Sequence, residues 1–348
     1  MSNKENNVVL VTGNTGYIGT VMTEFLQEHS YKVVGLDYNY YEGCNFYPSN
    51  IRPYKQITKD IRDVSKEDLD ETSAVIHLAA LSNDPLGEIN PSLTHKINCT
   101  SSVKLAKLAK SQGIKKFLFA SSCSIYGVAP YDKPLPEEAP STPVTAYAKA
   151  KSNAEKGILK LADEDFHPVY MRSATVYGVS PSLRLDLVVN NLVARSYLTG
   201  KVTILSDGTP WRPIIHVKDF CQAFLAVLES SEEKISNETF NVGRNEENYR
   251  VLDIAKRVKE IVPNSQVEIL NKSEADERTY RVDFTKIKTT VPLFKPSWNL
   301  SKGIEELYKA YKKYGLTQKD LESPKYFRVR WIRHLIESKK LDQDLKWM

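Results

Sequence analysis

Short apolar runs alternate with longer amphipathic stretches through the first half of the chain. "NVVLVTG" (7–13) and "KVVGLD" (32–37) place apolar residues at consecutive positions with almost no polar alternation. That is the pattern of strands buried on both faces, hence of a parallel sheet between helix layers. "YIGTVMTEFLQEH" (17–29) between them repeats at helical spacing. "AVIHLAA" (74–80), "KKFLFASS" (115–122) and "HPVYMRSATVYG" (167–178) continue the strand series. Helices are predicted from about 91 to 110 and from about 147 to 162. Strand–helix alternation of this kind predicts an α/β fold with a doubly wound parallel sheet of the Rossmann type.

After about Gly178 the rhythm loosens. "RLDLVVNNLVARSYLTG" (184–200), "VLDIAKRVKEIV" (251–262) and "GIEELYKAYKKYG" (303–315) read as helices. "WRPIIHVKDFCQAFLAVLES" (211–230) reads as a strand and a helix, and "TFNVG" (239–243) as a short strand. The expected organisation is a dinucleotide-binding domain over 1–178, with 211–244 returning to it. A smaller, mostly helical substrate domain takes 179–210 and 245–348. After Pro324 seven Lys/Arg stand against three Asp/Glu, interleaved with Phe327, Trp331, Ile332, Leu335 and Ile336. This tail reads as a basic amphipathic helix docked on its own chain or on a partner subunit.

Composition narrows the class. At 348 residues the chain can bury a substantial core, and a formal charge of +5 without a clustered patch is no nucleic-acid footprint. The four cysteines (Cys44, Cys99, Cys123, Cys221) are scattered, which argues against a metal knuckle or a disulfide framework and suits a reducing compartment. No metal site is expected. No run approaches the ~20 apolar residues needed to span a bilayer, and "MSNKENN" is no signal peptide, so a cytoplasmic protein without membrane partners is expected.

Chemistry enters at the strand tips. "VTGNTGYIG" sets Gly13, Gly16 and Gly19, with Tyr17 and Ile18 between the last two, directly after the first strand and at the mouth of the first helix. Glycines there permit a tight turn and close approach to a pyrophosphate, which the helix N-terminus attracts. Asp37 closes the second strand, where a carboxylate hydrogen-bonds a ribose 2′-hydroxyl and repels a 2′-phosphate, so NAD is favoured over NADP. "FLFASSCSIYG" (117–127) ends a greasy strand in Ser121, Ser122, Cys123 and Ser124. "TAYAKAK" supplies Tyr147 and Lys151, one turn apart on a helix face. A tyrosine with an ordinary pKa near 10 is a poor base. A neighbouring ammonium and a cationic nicotinamide would bring it into range, with a strand-tip serine polarising the substrate oxygen.

Taken together, "TGNTGYIG", "HLAA", "ASSCSIYG", "YAKAK" and "WRPIIHVKD" resemble the extended short-chain dehydrogenase/reductases, specifically the nucleotide-sugar epimerase/dehydratase group, from about residue 8 to about 315. The resemblance implies that Gly13, Gly16 and Gly19 meet the diphosphate of NAD, Asp37 the adenosine ribose, Asp60 and Ile61 the adenine edge, and Ala79 and Ala80 the cofactor through their main chain. It implies Tyr147 as catalytic base, Lys151 as holder of the nicotinamide ribose, and Ser122 and Ser124 as site hydroxyls. Asn98 is retained from a family helix motif on the cofactor side. Asn190 or Asn191 and Arg212 would meet the diphosphate of a nucleoside-diphosphate sugar, with Arg278 or Arg281 as a second clamp. A homodimer built through the helices near 91–110 and 147–162 is implied as well.

Departures from the family pattern sharpen the expectation. Dehydratases of the group carry an Asp-Glu pair where this chain has Cys123 and Ser124, and neither can do carboxylate work. The family's Gly-Thr after Asn98 is lost, and its strand asparagine is replaced near Thr175. Trp211 precedes the clamp arginine and would stack or pack near the ligand. His77 and His216, in apolar strand-like runs, read as core histidines, and Cys123 as a small strand-tip packer. The expected enzyme is an NAD-dependent nucleotide-sugar epimerase working through a transient 4-keto-sugar. A 4-dehydrogenase or keto-sugar reductase is the alternative; a 4,6-dehydratase or a non-catalytic dinucleotide sensor on the same fold stands behind it.

Overall fold

The computed structural model describes residues 7–49, 52–128, 133–271 and 278–348. Seven strands form one all-parallel sheet: β1 (Val8–Thr12), β2 (Lys32–Asp37), β3 (Lys55–Thr58), β4 (Ala74–His77), β5 (Lys116–Ser122), β6 (His167–Ser173) and, late in the chain, Thr239–Val242. In space they run from Thr239–Val242 through β6, β5, β4, β1 and β2 to β3. Every residue of β1 and of β4 is buried, as their unbroken apolar runs predict. The chain leaves β1 towards β2 and β3, then crosses to β4 on the other side of β1. The crevice at the carboxyl ends of β1 and β4 is therefore the topological switch point, where doubly wound sheets bind nucleotides.

One face of the sheet packs helix α1 (Tyr17–Glu28) and helix Val217–Glu229. The other packs helices Ser101–Ser111 and Ala146–Leu159. The stretch read as one helix from 91 to 110 is helical throughout but widens into a π-turn at Lys96–Thr100.

A second core gathers helices Val188–Thr199, Val251–Ile261 and Leu300–Tyr314. Strand Trp211–His216 does not rejoin the main sheet. It pairs with Thr175–Tyr177 and Asn248–Arg250 in a small separate sheet, and only the helix and the strand after it return.

The tail, expected with the second lobe, packs largely with the core of the main sheet. Helix Arg328–Glu337 docks on its own chain, with Ile332, Leu335, Leu341 and Leu345 packed into the same core as Val8, Leu10 and Val34. Its apolar stripe packs against the segment after β4, around Leu81, Leu86 and Leu93, rather than on the second core. The basic face is left towards the cleft and solvent.

Candidate active site

At the switch point lies a cleft of about 780 Å³. Gly13, Gly16, Tyr17, Ile18 and Gly19 line it beside Leu78, Ala79 and Ala80 from the end of β4. At Gly13 and Gly19 nothing larger fits. A Cβ on Gly13, which holds φ +75°, would lie 2.8 Å from the Ala79 backbone nitrogen. One on Gly19 would lie 2.0 Å from the Gly13 carbonyl oxygen. The N-cap of α1 is Gly16, which offers no side-chain cap to the first turn. That N-terminus thus keeps its N–H groups and dipole available to an anion. Asp37 accepts hydrogen bonds from the backbone N–H of Thr15 at 3.0 Å and of Asn39 at 2.9 Å, which hold its carboxylate at the tip of β2.

Ser122, Ser124, Tyr147 and Lys151 line the opposite half. The four small residues after Phe119 divide their work. Ser121 donates to Glu155 at 2.5 Å, and Glu155 is forked by Arg172 at 2.7 Å, so that side chain anchors the strand tip to a buried ion pair. Cys123 turns inward and donates to the Arg172 carbonyl; burial pushes its thiol far up, which leaves it inert. Ser122 accepts from the Ser124 backbone N–H at 3.1 Å and stands near enough to the Tyr147 hydroxyl to favour its phenolate. The Ser124 hydroxyl is buried, lines the cleft and meets no partner among the described residues.

Burial dominates the electrostatics of this pair. Burial, reinforced by the charge of Asp84, holds the Tyr147 phenol well above its ordinary value despite the nearby Ser122 hydroxyl. Burial also brings the Lys151 amine down to about 7, with Glu155 opposing the shift. Lys151 donates to the Ala120 carbonyl oxygen at 2.7 Å and stands 4.7 Å from the Phe119 ring centre and 5.9 Å from that of Tyr147. Burial thus disfavours both charged forms, the phenolate and the ammonium.

A profile of the NAD-dependent epimerase/dehydratase family matches residues 9–243, about two thirds of the chain. The chain belongs to that family. NAD is its cofactor, and the glycine cradle and the carboxylate of Asp37 fit a dinucleotide. The UDP-glucose 4-epimerase of Bacillus subtilis is 28% identical over 330 residues, covering 86% of this chain and 94% of its own. The dTDP-D-glucose 4,6-dehydratase of Mus musculus is 28% identical over 278 residues, 77% of this chain and 76% of its own. The solved UDP-glucose 4-epimerase of Thermotoga maritima, with UDP-glucose, superposes with a TM-score of 0.76 at 26% identity, covering 88% of this chain and 99% of that one.

Within this family enzyme, several expected contacts fall elsewhere. Asn190 is fully buried; its side chain accepts from the Gly178 N–H and donates to the Arg184 carbonyl oxygen. Asn191 donates to the Leu185 carbonyl and accepts from Arg195. Both are consumed in shaping the 178–187 loop, and neither lines the cleft. Asn98 likewise stays out of the cleft. Its amide brackets Leu81, accepting from the N–H at 2.8 Å and donating to the carbonyl at 3.0 Å, and so acts on the cofactor side only through main chain. Asp60 lines the cleft with Ile61, but its carboxylate is already gripped by Arg62 and by Lys346 at 3.0 Å. Burial works to raise its pKa, and those hydrogen bonds outweigh it and hold it low.

Arg212 and Arg278 reach the cleft; Arg281 does not and instead faces Trp211, whose ring lies between the guanidiniums of Arg250 and Arg281 at 5.3 and 4.9 Å. Arg212 also donates to the Arg278 carbonyl oxygen, so the two basic side chains share one anchor. His77 is a core residue, bonded to Thr12 and Ser102 and pushed down to about 3 by burial and then the Lys151 charge. His216 stacks on Trp298 and bonds Glu306 at 2.8 Å.

Sequence reasoning passed over three cleft residues. Asp84 bonds Thr145 and Arg278, and Arg184 forks Asp186 at 2.9 and 3.0 Å. The only signal was "SNDP" and "LRLD", polar residues in loops next to strand tips.

Proposed function

We propose that this enzyme epimerises a nucleoside-diphosphate sugar through a transient 4-keto-sugar. The observation that carries the reading is the placement of Ser122, Tyr147 and Lys151 around one cleft beside the glycine cradle, with no carboxylate at the two positions after Ser122. Elimination of water needs an acid and a base there. Cys123 is buried away from the cleft and Ser124 offers only a hydroxyl. Asp84, the carboxylate whose charge acts on Tyr147, is occupied by Thr145 and Arg278.

In this mechanism Ser122 and Ser124 hydrogen-bond the reacting sugar hydroxyl, and Tyr147 takes its proton. NAD, held by the glycine cradle and Asp37, would supply a hydride acceptor and a positive ring charge. Lys151, fixed by Ala120, orients against the cofactor ribose and, once protonated, favours the phenolate. Arg212 and Arg278 give the substrate diphosphate its counter-charge; a planar fork suits that group better than an ammonium. Turnover of this kind leaves the sugar's mass unchanged.

Incubation with UDP-, dTDP- and GDP-sugars in deuterated water, followed by mass spectrometry and absorbance of NADH, tests the reading. An isomer of unchanged mass with no net NADH supports it. Loss of two hydrogens with NADH accumulating replaces it with a 4-dehydrogenase, and loss of water with deuterium uptake replaces it with a dehydratase.

A further inference from the structure

The C-terminal segment lies against the cofactor half of the cleft and brings charge to it. Helix Arg328–Glu337 presents Arg328, Arg330 and Arg333 to the cleft, alongside Tyr38, Tyr41 and Asp60. Two other cleft arginines are matched, Arg184 with Asp186 and Arg278 with Asp84. Among the described residues, none of these three helix arginines has a carboxylate oxygen within 4.0 Å.

Arg328 is the most telling. It is 1% exposed, its guanidinium lies 3.8 Å from the centre of the Tyr41 ring, and one terminal nitrogen donates to the Ser182 hydroxyl at 2.9 Å. Its other terminal nitrogen has no partner. A buried guanidinium without a carboxylate is costly unless an anion completes it.

Two anions are available to this enzyme, the diphosphate of the cofactor and that of a sugar nucleotide. Position favours the first. Tyr41 lies four residues beyond Asp37, in the loop that follows β2. Ser182 sits in the loop clamped onto the start of α1, where Ser180 donates to the Tyr17 carbonyl at 2.7 Å and the Tyr17 hydroxyl donates to the Gly178 carbonyl at 2.8 Å. Arg328 thus bridges the loop that follows β2 and the 178–187 loop, which is bonded to the start of α1. The same segment locks the loop after Asp37: Trp331 donates to the Tyr40 carbonyl at 2.7 Å, Trp347 to that of Tyr38 at 2.8 Å, and Tyr40 to that of Leu345 at 2.7 Å.

We propose that the C-terminal segment completes the dinucleotide site, with Arg328, Arg330 and Arg333 as counter-charge to the NAD diphosphate. The inference rests on the NAD cofactor of the family and not on the epimerase reading, so either can fail without the other.

Titration calorimetry of the full chain with ADP-ribose, adenosine and UDP tests it. The double variant Arg330→Gln/Arg333→Gln alters two exposed side chains and leaves the core untouched. It is expected to weaken ADP-ribose about 5- to 10-fold, a few-fold for each partly screened charge, and to flatten the dependence of ADP-ribose binding on salt. Adenosine and UDP should stay within about twofold. Arg328→Lys, which keeps charge but loses the fork, should weaken ADP-ribose by a further several-fold. Unchanged ADP-ribose affinity in both variants would overturn the proposal. So would equal losses for adenosine and ADP-ribose, which would mean packing alone, or a loss confined to UDP, which would assign the charge to the sugar nucleotide.

Discussion

Lys151 donates to the carbonyl oxygen of Ala120 at 2.7 Å, tying the helix that bears Tyr147 to the strand that ends in Ser122. The bond fixes the relative position of base, serine and amine before any ligand arrives. Its cost is a fully desolvated amine held at about 7.

That cost is measurable as a function of pH. The folded-state value lies below the ordinary value near 10.4, so between about pH 7 and 10 the unfolded chain holds a proton that the folded chain lacks. Stability from this group therefore rises with pH across that window, and its penalty is fully present below about 7. Lys151→Met should be more stable than the parent at pH 6 by on the order of 1–3 kcal/mol, with the gap closing by about pH 10. Urea unfolding at pH 6, 8 and 10 measures it; a gap that does not change with pH would mean the amine is not the cause.

Tyr147→Phe removes the phenol and keeps the ring. NAD and UDP affinities should be unchanged within about twofold, while kcat falls by at least about 10³-fold, in the range of a lost general base. Retained turnover would strike Tyr147 from the mechanism.

Ser122→Ala deletes the hydroxyl that accepts from the Ser124 N–H beside Tyr147. The expected loss is about 10²-fold in kcat with little change in KM, because its bond to the reacting oxygen gains strength as charge develops there. An effect on KM alone would assign Ser122 to ground-state binding.

Two glycines separate close approach from backbone freedom. A Cβ on Gly19 would lie 2.0 Å from the Gly13 carbonyl oxygen and 2.6 Å from the Asn14 Cα, neither of which can move without lifting α1 off the loop. Gly19→Ala should cost about 3 kcal/mol and abolish NAD binding. Gly43, at φ +83°, would meet nothing within 4 Å. Gly43→Ala should cost only about 1 kcal/mol for its left-handed backbone and leave NAD binding intact. Thermal melts and NAD titration of both variants decide it.

The sheet and the gathering of Ser122, Tyr147 and Lys151 at one cleft were legible because each is written in a short stretch. Unbroken apolar runs such as 8–11 require burial on both faces. Glycines spaced over 13–19 and the one-turn spacing of Tyr147 and Lys151 are local patterns with local reasons. The asparagines show the limit of that reading. Asn190 and Asn191 sit in a suitable helix, but which carbonyls they meet depends on how the 178–187 loop folds back, and sequence distance does not encode that.

By itself, then, the sequence determined the doubly wound core, the glycine cradle, Asp37 and the Ser122–Tyr147–Lys151 set, because periodicity and backbone sterics act over a few residues. Only the tertiary structure decided where the tail goes. Ile332 and Leu335 could cover any apolar flank, and only the folded chain leaves one open against the segment after β4, where Ile332 meets Leu81, Leu86 and Leu93. Only the fold, too, set the charge states. Tyr147 is held high and Lys151 low by what surrounds them in space, since desolvation comes from neighbours distant in sequence and not from the residue itself.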